Sequence, residues 1–160
     1  MSDRSHRDWG NPLRLIGITL VTLYAITELT VRIGPPAVLG SIAYADLNIV
    51  QRTAQMLPYF IERASETLRV PPSHYAYFYS FRIAEAVAWL IVAALLLRRS
   101  RVALPALFAL IALSVVHAVV FAQLSPLGLT VGPTEVFLYA GTLLIFTRPS
   151  VRRLFTHEHA

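Results

Sequence analysis

The sequence predicts an all-α, polytopic membrane protein: four transmembrane helices in a bundle, plus an external amphipathic helix between the first and second. Three observations carry this expectation. Of 160 residues, 56% are hydrophobic and only 14% charged, whereas a soluble domain carries about a quarter charged residues. Apolar runs at about residues 13–33, 75–97, 102–123 and 130–147 approach or exceed the roughly 20 residues needed to cross hydrocarbon. The basic residues, all 14 of them arginine, also segregate to one side of such a threading. Residues 1–160 read as a single transmembrane domain.

The arginines set the orientation. Arg4, Arg7 and Arg14 precede the first span, Arg98, Arg99 and Arg101 join the second to the third, and Arg148, Arg152 and Arg153 follow the fourth. Those places share one face of a four-span protein, and only Arg52, Arg63 and Arg69 lie in the opposite loops. The positive-inside rule then puts both termini in the cytoplasm of a bacterial-type inner (plasma) membrane. This distribution also argues against a nucleic-acid partner despite the net charge of +5. The first run contains Glu28, lacks an A-x-A-like cleavage site and is longer than a signal core, so it is expected to be a retained helix.

Along the chain, Pro35-Pro36 is expected to close the first span, and Pro71-Pro72 sits just before the second. Residues 37–70 lie between them as the external segment. There Val50, Ala54, Leu57, Ile61, Ala64 and Leu68 recur at helical spacing, with charged residues largely on other faces. Asp46 is a candidate cap and Pro58 a kink or a division. Such a helix would lie on lipid headgroups or across the mouth of the bundle. Tyr75, Tyr77 and Tyr79 read as an interfacial aromatic belt. Arg98-Arg99-Ser100-Arg101 is a tight cytoplasmic turn, and Ser125-Pro126-Leu127-Gly128, followed by Gly132-Pro133, forms the second external loop.

Within the spans stand six ionisable residues, Glu28, Arg32, Arg82, Glu85, His117 and Glu135. Charges at that depth are costly and mark a site or a necessary pairing, so these are the candidate ligand-binding residues. A helical rise of about 1.5 Å per residue puts all six between the outer surface and the midplane, with nothing comparable expected in the inner half. Glu28 and Arg32 are spaced i, i+4, and Arg82 and Glu85 i, i+3, so each pair can share a face. Three carboxylates then stand against two arginines. One carboxylate remains to be protonated, to bind a cation or to contact His117.

Specific catalytic chemistry is not signalled. With no cysteine, disulfides and thiolate metal sites are excluded. A metal on His117, Glu85 and Glu135 lacks H-x-x-E or E-x-x-H spacing, so no metal is expected. Haem held by His74 and His117 is disfavoured, and His157-Glu158-His159 reads as a solvated tail. No nucleophile elbow, phosphate loop or nucleotide fingerprint is present. Whether the chain is an enzyme is left open and no cofactor is specified; a quinone or a lipid is compatible with the polar layer.

The stretch Arg82-Ile83-Ala84-Glu85-Ala86-Val87-Ala88-Trp89, then Leu95-Leu96-Leu97-Arg98-Arg99, followed by spans carrying His117 and Glu135, resembles the DoxX-like family of small four-helix membrane proteins. Arg14-Leu15 at the start of the first span and the amphipathic external segment fit the same layout. Alanines at 86, 88 and 93 replace the glycine-rich stretch common after the family's acidic residue. The resemblance implies a quinone-linked or redox membrane complex, or an accessory, chaperone-like subunit, and carries over Glu85 alone. Two functions follow as expectations. One is a small accessory or assembly subunit of a larger membrane complex, with other membrane subunits and the lipid bilayer as partners. The other is a stand-alone pocket protein that binds a lipid or quinone at the outer leaflet. A proton or cation carrier ranks behind both.

Overall fold

Backbone groups in apolar surroundings must bond within their own segment, which favours helices. The computed structural model describes residues 10–44, 46–124 and 133–155, and these contain helices and turns only. In order they are α1 (Gly10–Ala43), α2 (Ile49–Leu68), α3 (Pro72–Leu97), α4 (Ala103–Leu124), α5 (Pro133–Phe146) and the short α6 (Pro149–Arg152), followed by a 3-10 turn at Arg153–Phe155. By length and composition α1, α3 and α4 are able to cross a membrane, over Gly10–Gly40, Pro72–Leu97 and Ala103–Val120. The 14 residues of α5 reach about 21 Å, short of a roughly 30 Å hydrocarbon core. Residues 130–132, expected to begin the fourth span, lie outside the described residues. So do the Ser125-Pro126-Leu127-Gly128 loop, His6 and the His157-Glu158-His159 tail.

Four sequence expectations need correction. The first is the end of the first helix, because α1 runs through Pro35 and Pro36 to Ala43. A proline in a helix removes the N–H that would bond the carbonyl four residues back, so Pro36 strands the Arg32 carbonyl. The Tyr79 hydroxyl of α3 donates to that carbonyl, and Pro36 itself is fully buried. The second concerns the amphipathic segment. It is one uninterrupted helix through Pro58, and its cap is Asn48, not Asp46. The Asn48 side chain accepts from the Gln51 N–H at 3.0 Å, while the Gln51 side chain accepts from the Asn48 N–H at 3.3 Å, a reciprocal capping box.

The third correction is the tyrosine belt. Tyr75 and Tyr79, one turn apart, are buried, while Tyr77 on the opposite face is exposed. Tyr75, Tyr79 and Val70 form a small core against Leu57, Phe60, Ile61, Ala64 and Leu68, the apolar face of α2. The amphipathic helix thus meets protein as well as its surroundings. The fourth is the supposed confinement of buried charge to one half. Arg14 is buried at the opposite end of the bundle, and its Nη1 donates to the Leu96 carbonyl at 3.4 Å. The Leu96 carbonyl also accepts the Arg99 N–H at 3.3 Å, and a cation at this helix end complements the helix dipole.

α1 packs against α2, α3, α5 and α6, and α4 lies on α3. The main core joins Ile18, Val21 and Ala25 of α1 to Trp89, Val92 and Leu96 of α3, Leu107 and Ile111 of α4, and Phe146 of α5. Three glycines of α1, Gly10 against Ser150 of α6, Gly17 and Gly40, allow the closest helix approaches. A Cβ on Gly17 would lie 2.6 Å from the Phe146 ring, and one on Gly40 would lie 2.8 Å from the Arg52 carbonyl oxygen. The outside of the bundle is apolar, with Leu23 57%, Val116 59% and Phe137 78% exposed, a surface suited to lipid.

Tyr79→Phe is expected to cost about 1–2 kcal/mol of stability, measured by denaturant unfolding in detergent micelles. In a Pro36→Ala background residue 36 regains its N–H and can bond the Arg32 carbonyl, so the same change should cost far less. Equal costs in both backgrounds would show that Tyr79 acts by another route.

Candidate functional site

Helix spacing brings the charged residues into one layer. Arg82 and Glu85 share a face of α3, Glu28 and Arg32 share a face of α1, and Glu135 stands in the first turn of α5. α1 and α3 run antiparallel, so Tyr79 meets the level of Arg32, Arg82 meets Glu28, and Leu96 meets Arg14. At the centre is the Arg82 guanidinium. Its Nη1 lies 2.9 Å from Glu85 Oε2, and its Nη2 lies 3.3 Å from Glu28 Oε2 and also bonds Glu135 Oε1. One cation therefore joins carboxylates from three helices.

Glu85 gathers the fourth. Its Oε1 accepts from the Ser114 hydroxyl of α4, from Trp89 Nε1 at 3.4 Å and from the Tyr139 hydroxyl of α5 at 3.3 Å. Together with Arg82 on Oε2, this carboxylate is approached by four donors from three helices, three of them converging on Oε1. Glu135 Oε1 also accepts from the Tyr24 hydroxyl of α1 at 3.3 Å. Around the layer stand aromatic rings. On one side Tyr24 meets Trp89 edge-on, with ring centres 6.2 Å apart, and Trp89 stacks on Tyr139 at 6.0 Å. On the other the Arg32 guanidinium lies over the Phe78 ring at 5.4 Å.

Five of the six expected residues thus converge. His117 is buried one turn along α4 from Ser114, in an aromatic setting. Its ring stacks face to face on Phe81 at 3.5 Å, with Phe78 at 6.2 Å and Tyr77 at 5.7 Å. The edge of the layer is less enclosed. The Glu28 and Arg32 side chains, paired at 3.4 Å, are 17% and 21% exposed, against 3% for Glu85.

Sequence reasoning passed over Tyr24, Trp89, Ser114 and Tyr139, because none carries a charge. A signal was present. Tyr24 stands four residues before Glu28, Trp89 four after Glu85, and Tyr139 four after Glu135, the spacing that puts a hydrogen-bonding ring on the same face as the acid.

No protein-family model matches this chain, and no curated protein or solved structure matches it at a significant level.

Removing Arg82 leaves three carboxylates facing one another in an apolar bundle. Arg82→Met is therefore expected to destabilise by about 3–5 kcal/mol, measured by thermal unfolding in detergent. Adding Glu135→Gln should recover part of that loss, because it removes one of the stranded charges. An unchanged Tm for Arg82→Met would show that the layer does not hold the helices together.

Proposed function

We propose that this chain is a small accessory or assembly subunit of a larger integral membrane complex, redox or quinone-linked in character. In this reading α1, α3, α4 and α5 are its four spans, α2 is the external amphipathic helix, and both termini are cytoplasmic in a bacterial-type inner membrane. The observation that carries the reading is the engagement of Glu85 by four donors from within the chain, on α3, α4 and α5. A carboxylate bonded to three helices at once acts as a tie between them. The resemblance to DoxX-like proteins, with their accessory roles, points the same way. A bundle with an apolar exterior can also meet other membrane subunits, because helices in lipid associate through packing.

A second reading has an observation of its own. The partial exposure of Glu28 and Arg32 suits a headgroup or quinone approaching from the side, which makes the chain a pocket protein at the outer leaflet.

Two substitutions separate these readings. A Cβ on Gly141 would meet nothing within 4 Å, so Gly141→Leu should leave the fold intact and harm only packing against a partner. Ala93, another small residue of the spans, is buried in the core and is unsuited to this use. The complex is extracted from its own membranes in mild detergent and weighed intact. The accessory reading expects a mass far above 17.8 kDa with defined partners, lost in Gly141→Leu and kept in Glu28→Gln. A monomer or homo-oligomer carrying a quinone or lipid, lost in Glu28→Gln and kept in Gly141→Leu, would replace that reading with the pocket protein.

A further inference from the structure

Away from the charged layer, an apolar groove of about 300 Å³ runs between α3 and α4 on the outside of the bundle. Ala88, Ile91 and Leu95 line it on α3, with Ala106, Ala109 and Leu113 on α4. The alanines create the space; larger residues at 88, 106 or 109 would fill it. Ile91, Ala109 and Leu113 are exposed, so the groove opens toward the surroundings and away from the core. Each wall covers two helical turns, a length of about 10 Å.

The groove has a charged end. One turn beyond Leu95, the same stripe of α3 reaches Arg98, and the turn into α4 carries Arg99 and Arg101. A left-handed residue at Arg99 (φ 52°) and a bond from the Ser100 N–H to the Leu95 carbonyl at 3.0 Å fix this turn. Arg99 reaches Asn11 at 3.4 Å, while the side chains of Arg98 and Arg101 are exposed. An apolar slot that ends on two exposed cations matches an amphiphile with one apolar chain and an anionic head. It does not match a partner helix, whose seam would run much longer than two turns and would leave the cations facing apolar residues.

We propose that this groove and turn form a binding site for an anionic phospholipid, with an acyl chain along Ala88–Leu95 and Ala106–Leu113 and the phosphate on Arg98 and Arg101. Basic sites at the cytoplasmic ends of transmembrane helices suit such headgroups. The site requires α3 and α4 to span the bilayer, but it does not require the accessory role. Its readout is bound lipid, which does not depend on any protein partner.

The test reconstitutes the purified protein in vesicles of equal phosphatidylglycerol and phosphatidylcholine, then releases it in mild detergent and weighs the protein with its retained lipid. Phosphatidylglycerol should be retained in preference. The exposed arginines contribute about fivefold each to that preference, so Arg98→Gln with Arg101→Gln should bring it close to parity. Ala109→Phe, at an exposed position that tolerates bulk, should remove retained lipid of both kinds. Arg152→Gln, an exposed arginine at the end of α6, should change nothing. Unchanged thermal unfolding in each variant establishes that the fold is intact. Equal retention of both lipids by the unmodified chain, or a preference that survives the arginine pair, would overturn the proposal. An equal loss in Arg152→Gln would overturn it too, because the anionic lipid would then be reading a basic surface and not this groove.

Discussion

A guanidinium inside an apolar bundle is tolerable only when opposite charge surrounds it, and the position of Arg82 sets the terms for the rest of the fold. Its two terminal nitrogens reach carboxylates from α1, α3 and α5. Each of those acids would itself be costly in hydrocarbon without the arginine. The three acids all depend on the one arginine, and losing it strands them. Sliding α1 or α5 along α3 by a single turn would move Glu28 or Glu135 about 5.4 Å from its partner. Apolar packing tolerates such slips better than an ion cluster does, so the charged layer fixes the register that the hydrophobic core then fills.

The layer also divides the bundle into two unlike regions. On the side of Trp89 and Leu96, the core is a conventional interleaving of aliphatic and aromatic residues from α1, α3, α4 and α5. On the side of Tyr79, α2 folds its apolar face onto α3 to make a separate, smaller core. Tyr79 links that smaller core to the backbone of α1 through the Arg32 carbonyl that Pro36 leaves without its helical donor. Pro36 and Tyr79 thus form a complementary pair, one proline stranding a carbonyl and one tyrosine satisfying it. This allows α1 to continue beyond the charged layer and present Gly40 to α2. At the far end Arg14 bonds a carbonyl in the last turn of α3.

Much of this was legible in the sequence. Apolar length gave the long helices, and intrahelical spacing gave the Glu28–Arg32 and Arg82–Glu85 pairs, because residues three or four apart on one helix are neighbours whatever the tertiary fold. The convergence of Glu28 and Glu135 on a single arginine was not legible, since it depends on how α1 and α5 are rotated about their axes. The uncharged donors Tyr24, Trp89, Ser114 and Tyr139 escaped notice because hydropathy treats rings and hydroxyls in a span as ordinary. Pro35-Pro36 misled because the group that satisfies the carbonyl Pro36 releases lies 47 positions away in sequence. Asp46 lost to Asn48 because only the latter has a glutamine three residues on to complete the capping box.

Solid-state NMR in lipid bilayers tests the central role of Arg82 most directly, through contacts between guanidinium ¹⁵N and carboxylate ¹³C nuclei assigned with single substitutions. The expected result is one arginine, Arg82, correlated with the side-chain carboxylates of Glu28, Glu85 and Glu135 together, and with bulk water excluded from Glu85. Separate pairs, with Glu28 seen only by Arg32 and Glu135 only by water, would contradict it and leave the helices held by apolar packing alone.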